Sequence, residues 1–170
     1  MTNRFPQRKP LRMPEFDYSQ DGAYYVTLCT HNKDNLLADV NCVGADPCVR
    51  PNAAGLMVEQ KLHALETKFE GVTLDYYCVM PNHIHFVIFK SAEPGGHTGP
   101  PLQMILQWLK TQTTNEYIKM VKNGILPPFD KRFWQRSYYE HVVRGDNDLF
   151  EIRRYIEENP IKWVNDKYYR

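Results

Sequence analysis

A chain of 170 residues, with 42% hydrophobic and 13% aromatic residues, is long enough for one domain with a sizeable core and too apolar to be intrinsically disordered. No apolar run approaches the ~18 residues that a membrane-spanning helix needs, so we expect no membrane partner. The net charge of +1 gives the whole molecule no attraction to nucleic acid, and any binding of phosphates must come from local basic segments.

The N-terminal segment, residues 1–17, is predicted to be an extended arm because it contains three prolines. Its basic side chains are Arg4, Arg8, Lys9 and Arg12, and no acidic residue stands among them. The arm lacks the apolar stretch of a signal peptide, so we expect the protein to act in the cytoplasm.

The hydrophobic pattern after the arm predicts four strands and three helices in one domain, residues 1–170. The predicted strands are 23–30, 72–80, 83–90 and 133–143, and the predicted helices are 55–69, 102–121 and 146–159. The order β-α-β-β-α-β plus a helix predicts an α+β fold of the ferredoxin-like, split βαβ type. Two helices cover one face of its antiparallel sheet, and the additional C-terminal helix can pack on the other face beside a site.

Two segments rich in glycine and proline, residues 38–53 and 91–101, are predicted to be loop insertions. Residues 45–51 and 95–101 can be encoded by one DNA repeat placed in opposite orientations, which is the basis of this hypothesis. Because surface loops tolerate insertions, we expect residues 44–51 and 95–101 to be exposed, mobile and dispensable.

The strongest local motif is His83-Ile84-His85 in a predicted strand. Side chains two residues apart on a strand project from the same face, so both imidazoles can reach one metal ion while Ile84 faces the core. A pair of structural histidines is an equally good interpretation of this motif taken alone.

The last predicted helix contains Tyr155 and, one turn later, Asn159. Residues four apart lie on the same face of a helix, so a phenol and an amide oxygen point towards the same place. Taken alone, a helical tyrosine of this kind is better explained as a partly buried packing residue.

Together with Phe133-Trp134-Gln135 and Tyr138-Tyr139-Glu140-His141, these motifs resemble the single-tyrosine HUH transposases of insertion sequences. The resemblance is closest to the branch called REP-associated tyrosine transposases. In that family a His-hydrophobic-His pair is followed by a Trp-Gln segment, an aromatic-Glu-His segment and a Tyr-x-x-x-Asn-Pro helix. The likeness runs from about residue 18 to 163, apart from the two predicted insertions.

The resemblance implies a metal-dependent enzyme that cleaves and rejoins DNA. It implies that His83 and His85 bind the metal with Asn159 as third ligand, and that Tyr155 is the nucleophile forming a 5′-phosphotyrosine. Two imidazoles and an amide oxygen leave coordination positions open, which suits Mg²⁺ or Mn²⁺ at a phosphate. No general base can be assigned from these motifs.

The implied partner is single-stranded or hairpin DNA, as found in palindromic repeats, bound by a monomer or a homodimer. Basic and aromatic side chains are expected to contact phosphates and bases. The residues assigned to DNA binding are Arg4, Arg8, Lys9, Arg12, Arg153, Arg154, Tyr138 and Tyr139.

Three other interpretations stay open. The chain could be a non-catalytic single-stranded nucleic-acid-binding module on the same fold, in which Tyr155 only packs. It could be a small metal-dependent hydrolase, although position 87 is Val where a His-x-His-x-Asp site would need an acid. It could also be the product of a degenerate gene, although all three motif elements are retained.

Overall fold

The computed structural model describes residues 21–43, 46–91 and 99–169, with the backbone alone for 41–43 and 46–48. The predicted arm, and residues 92–98 of the second predicted insertion, lie outside the described residues.

Six strands and three α-helices form in the described residues, joined in places by short 3₁₀ turns. The strands are β1 Gly22–Cys29, β2 Ala38–Val43, β3 Asp46–Pro51, β4 Val72–Met80, β5 His83–Lys90 and β6 Tyr139–Val142, and the helices are α1 Ala53–Lys68, α2 Leu102–Lys122 and α3 Asp146–Glu158. The 3₁₀ turns are His31–Lys33 and Trp163–Asn165.

The main sheet has the strand order β4-β5-β1-β6, and every neighbouring pair is antiparallel. One helix follows β1 and the β2–β3 hairpin, and another follows β5. Together with the strand order, this connectivity is that of the split βαβ fold. The predicted α+β architecture with an additional C-terminal helix is confirmed. Central β1 lies against β5 in a register that sets Thr27 opposite His85 and Cys29 opposite His83.

Two apolar clusters lie on opposite faces of the sheet. Alternation along β5 sends Ile84, Phe86 and Ile88 into the larger cluster, where α1 and α2 pack. Val87 faces the smaller cluster, which includes Ile156 of α3 and Trp163. The two histidines of β5 project from the same face as Val87, so α3 covers the side of the sheet that carries them.

Helix α1 begins where the sequence provides both a cap and room for a close backbone contact. The side chain of Asn52 accepts hydrogen bonds from the backbone N–H groups of Ala54 and Gly55, at 2.9 and 3.2 Å. A Cβ atom at Gly55 would lie 2.2 Å from the carbonyl oxygen of Leu37, so only glycine lets the helix approach this segment.

The loop conformation predicted for residues 38–53 is wrong for most of that segment, which forms the β2–β3 hairpin followed by the start of α1. Val40 pairs with Val49, and Ala38 and Val49 are buried against the smaller cluster. The prolines are compatible with this two-stranded sheet because each strand has one unpaired edge. Whether the segment is an insertion stays a prediction.

The predicted strand 133–143 is also wrong over its first half, because only Tyr139–Val142 forms β6. Trp134 makes a single bridge to Thr30, and its indole N–H donates to Thr113 Oγ1 of α2 at 2.8 Å. Phe133 and Trp134 are both buried in the larger cluster, so consecutive side chains share one side instead of alternating. Burying two consecutive side chains on one side is incompatible with the alternation of a pleated strand, so the strand is interrupted there.

Within the described ranges, no helix combines the length and hydrophobicity needed to cross a membrane.

Candidate metal and nucleophile site

Strand β5 places the rings of His83 and His85 side by side beneath α3. Both are fully buried, their ring centroids are 4.5 Å apart, and their Nε2 atoms are 2.9 Å apart. Two nitrogen ligands about 2.1 Å from one ion and at right angles would be separated by about 3.0 Å. The pair is therefore spaced as two neighbouring ligands of one metal ion.

The second nitrogen of each ring is held by a neighbouring polar group. Asn82 donates its side-chain N–H groups to the carbonyls of Lys33 and Tyr168, at 3.2 and 2.9 Å, which orients its Oδ1 as an acceptor. His83 Nδ1 lies 2.8 Å from that oxygen, so it carries the ring proton and its Nε2 keeps a lone pair. His85 Nδ1 lies 2.8 Å from the hydroxyls of both Tyr25 and Thr27.

Burial holds the pKa of both histidines well below the usual range. For His85 the neighbouring imidazole lowers the pKa further, and for His83 the Asp166 carboxylate opposes the effect of burial in part. Both rings are therefore neutral near neutral pH, which is the form that binds metal ions.

Helix α3 brings Tyr155 to the edge of the histidine pair. Its ring centroid lies 5.3 Å from that of His85, and its hydroxyl donates to Asp166 Oδ2 at 3.2 Å. Partial burial, and then the negative charge of Asp166, raise the pKa of Tyr155 above its usual value. The side chain is still 38% exposed, so a substrate can reach it.

Asn159 lies one turn after Tyr155 and is only 4% exposed. Its Nδ2 donates to Asp166 Oδ2 at 2.9 Å, whereas its Oδ1 is buried with no hydrogen-bond partner among the described residues. A buried acceptor without a partner costs about 1–3 kcal/mol, so this oxygen is suited to an ion or ligand. The observation fits the amide oxygen expected as third metal ligand.

Asp166 is the site residue that the sequence analysis missed. One ligand atom from each of His83, His85 and Asp166 lies within 4.8 Å of the other two, the arrangement that can hold a metal ion. The backbone N–H of Tyr168 donates to its Oδ1 at 2.6 Å. Asp166 follows a 3₁₀ turn beyond α3, where no strand or helix period predicts which side chains meet. The acid seven residues after Asn159 was the only available signal.

Two of the expected DNA-binding arginines are engaged in ion pairs. Arg153 makes a two-point contact with the carboxylate of Asp75 on β4, both distances being 2.8 Å, and stacks over Tyr76. Arg154 pairs with Glu151 one turn earlier on the exposed side of α3. Neither contact tests DNA binding, but Arg153 also has a structural partner that the sequence did not indicate.

The two expected DNA-binding tyrosines lie in different surroundings. Tyr139 begins β6, is 45% exposed and meets the ring of Tyr25 edge-on at 6.1 Å. Tyr138 is half-buried beside the amino group of Lys110, which lies 5.2 Å from its ring centroid. The structure thus brings Tyr139 to the site, whereas Tyr138 faces α2. The basic side chains of the arm lie outside the described residues.

A family sequence profile described as "Transposase IS200 like" matches residues 52–159, more than half of the chain. The chain belongs to this transposase family. It is thereby an enzyme that acts on DNA, as the resemblance of its motifs indicated. The matched range contains both histidines, Tyr155 and Asn159, and it ends before Asp166.

Two relatives come from Haemophilus influenzae, and one of them is described as a transposase. This IS200-like transposase is 29% identical to a Haemophilus influenzae protein of uncharacterised function, over 95% of this chain and 93% of that protein. It is also 29% identical to a candidate REP-associated tyrosine transposase of the same organism, over 55% of this chain and 51% of that protein.

Two solved structures share the fold. A REP-associated tyrosine transposase bound to a REP hairpin has a TM-score of 0.59 at 19% identity, covering 91% of this chain and 77% of that one. A candidate transposase from Deinococcus radiodurans has a TM-score of 0.51 at 17% identity, covering 86% of this chain and 95% of that one. The ferredoxin-like architecture of this IS200-like transposase is therefore found in other transposases.

Proposed function

We propose that the protein cleaves and rejoins single-stranded or hairpin DNA, with Tyr155 as the nucleophile. The observation that carries the proposal is the meeting of Tyr155 and Asn159 at Asp166, beside the buried imidazole pair. A nucleophile next to a set of metal ligands is the arrangement that phosphoryl transfer needs.

In the proposed reaction the Tyr155 oxygen attacks a backbone phosphorus and the bond from that phosphorus to the 3′ oxygen breaks. The products are a 5′-phosphotyrosine and a strand that ends in a 3′-hydroxyl. The energy of the phosphodiester is retained in the tyrosyl ester, so attack by a 3′-hydroxyl rejoins DNA and releases the tyrosine without ATP.

Asp166 is suited to receive the tyrosine proton, because its Oδ2 already accepts a hydrogen bond from the hydroxyl of Tyr155. The same oxygen accepts from Asn159, which fixes the amide so that its Oδ1 is the free atom. A tyrosine with a raised pKa is a weak nucleophile, so a proton acceptor in direct contact is needed.

We propose His83, His85 and Asn159 as ligands of Mg²⁺ or Mn²⁺. A bound divalent ion would stabilise the charge that develops on the phosphate oxygens during the reaction. The buried, neutral imidazoles and the unpartnered amide oxygen support this set. Asp166 also lies close enough to the histidines to be a metal ligand. We assign it the role of proton acceptor instead, because a carboxylate bound to the ion would be less able to take the tyrosine proton.

We propose DNA hairpins with a single-stranded flank, such as palindromic repeats, as the substrate, and the cytoplasm as the place of action. The related transposase of similar fold was solved bound to a REP hairpin. The half-exposed Tyr155 and the exposed Tyr139 offer an open surface at the site. Arg154, and the arm residues Arg4, Arg8, Lys9 and Arg12, remain proposed phosphate contacts.

The test is a cleavage assay on a labelled hairpin with a single-stranded flank in Mn²⁺. Tyr155→Phe should still bind DNA and should lose cleavage and the covalent adduct, because the ring remains and the attacking oxygen is gone. Tyr139→Phe is the matched control, since Tyr139 is a second exposed tyrosine at the site, and it should retain the adduct.

Mass spectrometry of the cross-linked peptide identifies the attacking residue directly. An adduct on Tyr138 or Tyr139, or cleavage by Tyr155→Phe at the wild-type rate, would overturn the assignment. DNA binding by the wild-type chain without cleavage in Mn²⁺ or Mg²⁺ would instead support a non-catalytic single-stranded binding module.

A further inference from the structure

A groove separate from the histidine pair lies between α2 and the irregular segment 129–138. It has a volume of about 680 Å³, within the ~300–1,000 Å³ range of ligand clefts. Buried Phe133 and Trp134 form its floor, and the indole N–H of Trp134 is tied to Thr113 of α2. We call this feature the α2 groove.

The α2 groove is positively charged. Among the described residues, four basic ones line it and no acidic one does; the four are Lys110, Lys131, Arg132 and Arg136. Asp130, which is not part of the lining, pairs with Lys131 at 3.9 Å. Lys110 serves as an internal support, because its amino group donates to the carbonyls of Gln135 and Arg136, at 2.9 and 3.2 Å. Arg132 and Arg136 also line the groove, and their side chains form no hydrogen bond or ion pair within the described part of the chain.

The rest of the lining has the chemistry that recognises nucleobases. The rings of Phe129 and Tyr138 are half-buried at the groove, where they can stack on bases. Side-chain amides, which can hydrogen-bond to base edges, stand along α2 and at Gln135. Positive charge, aromatic rings and amides in one groove favour an extended single strand over an acidic peptide, which would not need the stacking rings.

The wall of the α2 groove is connected to the histidine pair. Gln135 donates its backbone N–H to Cys29 and its side-chain amide to the carbonyl of Thr30, at 2.9 and 3.1 Å. Thr30 donates in turn to the carbonyl of Asn82, the residue whose side chain holds His83. The segment that forms the groove is therefore fixed to the turn that presents the proposed metal ligands.

We propose that the α2 groove binds the single-stranded flank of the DNA substrate, with Arg132 and Arg136 on its phosphates. This inference rests on the proposed function, since it assigns a second part of the same substrate to a second surface. A strand held there would be tethered to the protein at a fixed position relative to the histidine pair, which would determine the nucleotide presented to Tyr155.

The test compares two hairpins, with and without a single-stranded flank, by fluorescence anisotropy. The Tyr155→Phe chain is used so that no DNA is consumed. Arg132→Gln/Arg136→Gln should weaken binding of the flanked hairpin by about tenfold and leave the blunt hairpin unaffected. The salt dependence should fall by about 1.4 in log–log slope for two lost single-strand phosphate contacts.

The matched control is Lys119→Gln/Lys122→Gln, which removes two positive charges from the same helix outside the groove. It should preserve the preference for the flanked hairpin. If the groove variant prefers the flanked hairpin over the blunt one as strongly as the control does, the proposal is overturned. A photo-crosslink from 5-bromouracil in the flank gives a second readout that needs no variant. It should map to Phe129 or Tyr138, and crosslinks confined to other peptides would also overturn it.

The two proposals fail in different ways. A chain that prefers the flanked hairpin through the groove but never cleaves it would retain this inference and remove the proposed catalysis. A chain that cleaves normally, and whose groove variant loses no preference for the flank, would retain the catalysis and remove this inference.

Discussion

The two imidazoles constrain each other's protons. Because His83 keeps its proton on Nδ1, its Nε2 offers a lone pair to the Nε2 of His85, 2.9 Å away. Without an ion, His85 carries its proton on Nε2 and donates it to His83. If Nε2 bound an ion, the proton of His85 would have to be on Nδ1. The hydroxyls of Tyr25 and Thr27 can donate or accept, so they satisfy His85 in either form.

This arrangement predicts a metal-dependent gain in stability. Mn²⁺ at about 100 times its dissociation constant should stabilise the wild-type chain by about 2.7 kcal/mol, which is several degrees in melting temperature. His83→Ala and His85→Ala should each lose that gain. His63→Ala is the matched control, because this histidine contacts Tyr77 on the other face and should not affect metal binding.

Melting curves with and without Mn²⁺ provide the measurement, since the difference between them is independent of the stability of each variant. A full Mn²⁺ response in His83→Ala would exclude the histidine pair as the metal site. Asn159→Ala and Asp166→Asn in the same titration decide between the two candidates for the third ligand.

At the scale of single residues, the sequence predicted the site residues that follow strand or helix periodicity. It missed Asp166, which lies outside both. His83 and His85 share a strand face, and Tyr155 and Asn159 share a helix face, so spacing alone indicated that each pair would lie together. Asp166 reaches the site through an irregular turn, whose path depends on packing around Trp163. No local rule could have placed it.

At the scale of elements, α3 is attached to the sheet by a small apolar stripe and by polar contacts. Ile156 is the one residue of the helix that is fully buried. One of its polar anchors is Arg153, which contacts both Asp75 and Tyr76 on β4. The pairing of β4 with β5 shifts register between Leu74 and Tyr77, so the irregularity contains the two residues that hold Arg153.

This anchor predicts that Arg153 positions the nucleophile. Arg153→Ala should cost about 1 kcal/mol in stability, as expected for a two-point ion pair at a partly exposed position. It should slow adduct formation much more than that loss explains, because Tyr155 lies on the same helix two residues later. The checks are the melting temperature and the single-turnover rate of adduct formation.

Arg154→Ala is the control for charge, since Arg154 is the adjacent arginine and its ion pair with Glu151 lies within α3. Asp75→Asn should reproduce the slow rate, and the Asp75→Asn/Arg153→Ala double variant should add nothing further. If Arg153→Ala slows the rate no more than Arg154→Ala, then Arg153 acts through its charge on DNA and not through position.

The strands also differ in how well the sequence predicted their bounds. The bounds predicted for β4 and β5 agree with the structure, because each strand has β-branched and aromatic residues and ends at a turn signal. The β6 region was predicted too long because aromatic residues at 133–138 are typical of a strand. There they are buried by α2, a partner that the local sequence does not reveal.

For the molecule as a whole, the smaller apolar cluster joins distant parts of the chain beneath the site. It contains Val87 from β5, Ile156 from α3 and Trp163 from the following turn, and the base of the β2–β3 hairpin adds Ala38 and Val49. The hairpin therefore supports the same cluster that carries the tyrosine helix. This long-range contact is why a glycine- and proline-rich segment folds into strands.

The hairpin base should consequently matter for stability, against the expectation that residues 44–51 are dispensable. Val49→Ala removes two methyl groups at a position 8% exposed, and it should cost about 2 kcal/mol, or about 5 °C in melting temperature. Val40→Ala makes the same change on the paired strand at a position 40% exposed, and it should be nearly neutral. Thermal melts of the two variants decide the matter. Equal, small effects would mean that the hairpin is an appendage as the sequence suggested, whereas a large effect at Val49 alone identifies it as part of the support for Trp163 and α3.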